Sequence, residues 1–204
     1  QTYTPLKTSP MKRFLLLTAI VLVSACRPSG HPNLLQPGEG CEYASYFGIL
    51  ASDEDSLEVR GVVSVSPGNG ACDTLFLDRP LESIVCMSSS SVAALSSIGA
   101  ESHITGVSGL KYISDEKIHR MAGKEQIFDI GYESSLDYET LVRLSPDLVV
   151  AYTVGDSEPP YLAKLRNLGF KVFIIYDHLE QHPLARAEYV RLFGALTGRL
   201  PQAD

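Results

Sequence analysis

Asp147 to Tyr152 and Lys171 to Tyr176 are strand-length runs that, after a charged first residue, stay apolar on consecutive residues, and both are set between helix-like segments. A strand with one wet face alternates polar and apolar residues. One that is apolar at every step is buried on both faces, which is the pattern of a parallel sheet covered by helices on each side. Ser83 to Met87 is a further such run, and Ile104 to Val107 and Phe128 to Ile130 are shorter ones. The intervening helices have legible ends. Ser88 to Ile98 begins with serines and is closed by Gly99. Asp137 to Leu144 turns Leu141, Val142 and Leu144 inward and is stopped by Pro146. Pro159 to Leu168 begins with proline and ends at Gly169, and a last helix runs from Pro183 to Leu196.

The region before Leu81 reads differently. Runs from Tyr43 to Leu50, Leu57 to Val65 and Thr74 to Leu77 are separated by Asp53-Glu54-Asp55 and Pro67-Gly68-Asn69-Gly70, the signature of a small β-meander. The fold class is therefore α/β: a three-layer parallel-sheet lobe preceded by a β-meander.

Ahead of both lies an export signal. Lys12 and Arg13 precede a ten-residue apolar core, Phe14 to Val23, and small residues lead to Cys26. The core suits a signal peptide, whereas a spanning helix needs about twenty apolar residues. Val23-Ser24-Ala25-Cys26 resembles the lipobox of bacterial lipoproteins, which implies lipidation of Cys26, a mature N-terminus there and an extracytoplasmic, membrane-anchored location. The expected organisation is residues 1–10 upstream and untranslated, 11–25 signal peptide, 26–40 a Pro- and Gly-rich tether, 41–82 meander, 83–198 lobe, and 199–204 the start of a further helix.

Removing residues 1–25 takes away Lys7, Lys12 and Arg13 but no acid, leaving 14 basic against 24 acidic residues and a charge near −10. That balance argues against nucleic-acid binding. With Cys26 assigned to lipid, Cys41 and Cys72 could pair in an oxidising compartment, and Cys86, inside an apolar strand, reads as a buried thiol. His178 and His182 have a four-residue spacing, but Pro183 opposes a helix through both and no third ligand accompanies them. Ser88 to Ser91 lack a nucleophile elbow and read as helix caps.

In open parallel sheets ligands bind outside the carboxyl ends of the strands. Those positions are Ser88 to Ser91, Ser108 to Tyr112, Gly131 to Ser135 and Tyr152 to Glu158, rich in hydroxyls and tyrosines. Ser83-Ile84-Val85-Cys86-Met87-Ser88, Ile98-Gly99-Ala100, Ile104-Thr105-Gly106-Val107, Asp129-Ile130-Gly131, Asp137-Tyr138-Glu139 and Ser145-Pro146-Asp147-Leu148-Val149-Val150-Ala151-Tyr152 occur in this order. The series resembles the periplasmic substrate-binding proteins of iron-siderophore, haem and vitamin B12 ABC transporters, from about Ser83 to Thr197.

The resemblance implies two α/β lobes joined by a long helix, of which this chain holds the N-terminal lobe. The chain is accordingly expected to be a fragment or a truncated product with half a cleft. It implies capture of a metal chelate without chemistry or cofactor, handed to a permease and ATPase complex. Ser89 resembles a cleft-lining residue, Tyr152 an aromatic that packs on the ligand, and Tyr132 a second such contact, while Glu158 resembles a glutamate that docks on the permease. The small number of cations in the lining slightly favours a cobamide or another neutral chelate. A chelatase-like tetrapyrrole enzyme and an envelope protein-contact module are the alternatives.

Overall fold

The structure, a computed structural model, describes residues 41–51, 59–154 and 158–204. The export signal, Cys26, the tether and the Asp53–Asp55 turn lie outside the described residues. Strands β1 (Phe47–Ala51), β2 (Val59–Val65) and β3 (Cys72–Phe76) form an antiparallel sheet in that order. The second sheet is parallel throughout and runs β6-β5-β4-β7-β8, from β4 (Ile84–Cys86), β5 (Ile104–Val107), β6 (Phe128–Asp129), β7 (Leu148–Tyr152) and β8 (Val172–Ile175).

Alternation along each strand assigns side chains to two cores. Ile84 and Cys86 of β4, Leu148 and Val150 of β7, and Phe173 and Ile175 of β8 face one core. There they meet Val92 and Leu95 of α1 (Ser89–Ser97), Ile118 of α2 (Glu116–Ala122), and Leu192, Phe193 and Leu196 of α5 (Pro183–Thr197). Val85, Val149, Ala151 and Val172 face the other core, under Leu141 of α3 (Tyr138–Leu144) and Leu162 and Leu165 of α4 (Pro160–Asn167). Both faces are thus covered, as continuous apolar strands require. A four-residue helix, α6 (Leu200–Ala203), follows Gly198.

Two details depart from the expected pattern. Helix α2 is not visible in the apolar periodicity because Ile118 is its one buried residue, and Val142, expected inward on α3, is 58% exposed. Cys86 is fully buried, and loss of hydration pushes its thiol up to about 12. Cys41 and Cys72 are both free thiols: Cys41 is half-buried against the main core, while Cys72 is exposed at the start of β3.

The meander is held to the lobe by side chains and by carboxylates. Phe47 packs on Tyr189 of α5 with ring centroids 4.5 Å apart, and the Ser64 hydroxyl donates to the Ile174 carbonyl of β8. Glu188 of α5 accepts hydrogen bonds from the amides of Glu42, Tyr43 and Ala44 at 2.7, 2.9 and 2.6 Å. The buried Glu180 accepts from the amides of Ser45 and Tyr46 at 2.9 and 3.0 Å. Five consecutive amides that enter no strand are satisfied by two carboxylates.

Asp147 ties the start of β4 to that of β7. It accepts from the amides of Glu82 and Ser83 at 2.8 and 3.1 Å and from the Arg79 guanidinium at 2.7 Å. Burial opposes ionisation of this carboxyl, but these donors outweigh it and hold the group below the usual range. Asp137, whose carboxylate accepts from the Thr140 amide and hydroxyl as the N-cap of α3, is lowered likewise. A carboxyl whose folded value lies below its unfolded value of about 3.9 stabilises the fold above about pH 4, and that contribution is lost as pH falls. The melting temperature should therefore drop as pH falls from about 5 to 3. Asp147→Asn should lower it at neutral pH and flatten that acid limb; a limb of unchanged slope would refute the assignment.

Candidate functional site

The order β6-β5-β4-β7-β8 has its topological switch between β4 and β7: from β4 the chain builds outward to β6, then returns past β4 to β7 and β8. Such a switch opens a crevice at the carboxyl ends of the two central strands. A cavity of about 910 Å³ lies there. Met87 and Ser88 to Ser90 reach it from β4, Ser108 and Tyr112 from β5, Tyr132 to Ser134 from β6 and Tyr152 from β7. Asp177 and His178 after β8, and Arg186 of α5, complete the wall.

Of the residues expected to bind ligand, Ser89, Tyr132 and Tyr152 all line this one cavity. Ser88 caps α1: its hydroxyl accepts from the Ser91 amide at 3.3 Å and meets the Ser90 and Ser91 hydroxyls at 3.0 and 2.8 Å. That network leaves the exposed Ser89 at the rim. Tyr152 ends β7, where its carbonyl accepts the Tyr161 hydroxyl at 3.4 Å and its ring stands edge-on to His178, centroids 5.9 Å apart. Burial raises the Tyr161 phenol, so it remains a donor at neutral pH.

Tyr132 is placed by Asp129. The Asp129 carboxylate accepts from the amides of Gly109, Leu110 and Gly131, each at 3.0 Å, and the Ser108 hydroxyl donates to the Gly131 carbonyl at 2.8 Å. These bonds join the loops after β5 and β6 into one platform. Tyr132 then lies on the backbone of Gly109, whose φ is +72°, with no room for a Cβ between them. Tyr112 stands edge-on to Tyr132 with centroids 5.6 Å apart, and the Lys111 ammonium lies 4.9 Å and 5.6 Å from the two ring centres.

Glu158 is elsewhere. It lines a separate cavity of about 790 Å³ beside the β2–β3 turn and pairs with Arg166 at 2.9 Å. His178 and His182 do not converge either. The Nδ1 of His182 accepts the Leu184 amide at the start of α5 and its ring stacks on Tyr43, whereas both nitrogens of His178 are buried without a hydrogen-bond partner among the described residues. No group of three or more His, Cys, Asp or Glu side chains could hold a metal ion among the described residues.

Asp177, His178 and Arg186 lie outside the four strand-end positions read from the sequence: Asp177 and His178 follow a fifth strand, β8, and Arg186 comes from a helix. Arg186 enters from the first turn of a helix; its guanidinium donates to the His178 and Glu180 carbonyls, both at 3.3 Å. The lining therefore gains one cation, set against Glu133 and Asp177. It carries no excess of positive charge.

No family model matches the chain. An uncharacterised lipoprotein of Methanocaldococcus jannaschii is 26% identical over 133 residues, which cover 62% of this chain and 32% of that protein. A periplasmic binding protein from Veillonella parvula superposes with a TM-score of 0.50 at 13% identity, over 70% of this chain and 48% of that one. A periplasmic haem-binding protein from Pseudomonas aeruginosa gives 0.45 at 22% identity, over 60% and 40%. The chain spans about a third of the length of its curated relative and under half of each solved structure. Its fold is that of a periplasmic binding-protein lobe, a five-stranded parallel sheet with a three-stranded antiparallel sheet ahead of it.

Proposed function

We propose that this chain is the N-terminal lobe of a lipid-anchored, extracytoplasmic substrate-binding protein, which captures a metal chelate and passes it to an ABC permease and ATPase. The observation that carries this reading is the convergence of Ser89, Tyr132 and Tyr152, with Tyr112 beside them, on one cavity at the switch of the parallel sheet. Tyrosines offer broad apolar faces with polar tips, which suits a large ligand of mixed polarity. The order of the Ser83–Tyr152 motifs supports the transport class, and the lipoprotein relative supports anchoring through Cys26. Capture without chemistry accords with serines that bond to one another and with a His178 that contacts none of them by hydrogen bond. Glu158, exposed and absent from the main cavity's lining, is assigned to permease docking.

The test is calorimetric titration of the native gene product with cyanocobalamin, haem and a ferric siderophore. Tight binding of one chelate is expected, and Tyr152→Ala should weaken it by about ten- to a hundredfold, the loss of one buried aromatic contact. Glu158→Gln should leave that affinity unchanged and reduce uptake. Failure of the folded protein to bind any of the three would overturn the reading.

A further inference from the structure

A second cavity, of about 520 Å³, adjoins the first. It shares Ser89, Ser90 and Tyr112 with the main cavity, and its own walls are Val92, Ala93, Ile113, Ser114 and Asp115. The Tyr112 ring is the partition between them. For a partition it is lightly held: 63% exposed, in edge contact with Tyr132 and under the Lys111 ammonium, its hydroxyl unbonded among the described residues. An exposed aromatic with so few constraints can change rotamer at small energetic cost. The far cavity's own walls join apolar Val92, Ala93 and Ile113 to the Ser114 hydroxyl and the Asp115 carboxylate, so they match an arm with an apolar stem and a hydrogen-bond-donating tip.

We propose that Tyr112 is a specificity-determining divider, and that the adjoining cavity is a side pouch of the chelate site that takes a donor-tipped arm of the ligand, amide or ammonium, toward Asp115. This rests on the chelate-binding reading above. A bare chelate fills only the main cavity, whereas an armed one turns the ring aside and occupies both. Carboxylate-tipped arms are disfavoured by Asp115, which would face them at like charge.

The experiment titrates the native gene product and its Tyr112→Ala, Tyr112→Phe and Asp115→Asn variants, each checked for folding by circular dichroism. The probes are ferric tris-acetohydroxamate, which has no arm, ferrioxamine B, which has an ammonium arm, and cyanocobalamin, which has amide arms. Asparagine keeps the cap that Asp115 gives α2. Tyr112→Ala should tighten an armed chelate at least about fivefold relative to the armless one, and Tyr112→Phe, which keeps the ring, should leave that armed-to-armless ratio within about twofold of wild type. A gain confined to ferrioxamine B, with a loss of about tenfold in Asp115→Asn, assigns an ammonium arm, and a gain confined to cyanocobalamin assigns an amide. Equal changes for all three probes would overturn the divider while leaving chelate binding intact. No binding of any probe by the folded wild type would overturn the parent reading, and the divider with it.

Discussion

Gly109→Ala is expected to abolish measurable chelate binding, a loss of about a hundredfold or more, while the protein still folds. A Cβ built at this position lies 2.5 Å from the Tyr132 hydroxyl oxygen and 2.7 and 2.8 Å from two of its ring carbons. Side chains do not approach so closely, so the ring must leave the Gly109 backbone, and the cavity lies beside it. Alanine would also have to hold φ near +72°, which costs about 1–2 kcal/mol for a residue with a Cβ. Part of that cost is shared by the Asp129 bonds, which fix the loop whatever residue it carries. The paired variant Gly109→Ala/Tyr132→Ala removes the clash and should recover part of the lost affinity. If Gly109→Ala alone binds like wild type, Tyr132 does not rest where the structure places it.

Glu180→Ala should lower stability by about 3 kcal/mol, a fall in melting temperature of roughly 6–12 °C. The reasoning is the asymmetry of hydrogen bonds that are partly buried: truncation of the buried Glu180 takes the acceptor from both the Ser45 and Tyr46 amides. Glu180→Gln should cost much less, because both bonds end on Oε1 and an amide oxygen can take its place. Glu188→Ala removes three bonds from a less buried site, and the two losses should not add, since the two carboxylates hold adjacent residues of one strap. Equal melting temperatures for Glu180→Ala and Glu180→Gln would refute the assignment.

Much of this arrangement can be read from the chain before folding. The runs Asp147–Tyr152 and Lys171–Tyr176, apolar after their charged first residues, point to a buried parallel sheet because they have strand length and alternate with helix-like segments. Proline and glycine marked the ends of α4 and α5 to within a residue or two. The loops that line the main cavity are largely those that one general rule about strand ends selects, and Ser89, Tyr132 and Tyr152 lie along it. What stayed hidden has physical causes. Helix α2 buries a single isoleucine, too little for a periodic signal. Arg186 belongs to a helix whose start lies beside the cleft, a proximity created by tertiary packing. Glu180 and Glu188 looked like ordinary surface acids, because their partners are backbone amides more than 130 residues away in sequence.

That separation also sets a clock. Amides 42–46 are made well ahead of the carboxylates that hold them, which follow at a spacing of 134 to 146 residues. At about 5–20 residues per second, a chain growing from its N-terminus waits roughly 7–29 s before the strap can close. Until then the amino-terminal hairpins have neither α5 nor the far edge of the parallel sheet to rest on. Closure of this loop waits for Glu180 and Glu188, and until then a nascent chain stays open and threadable over this region.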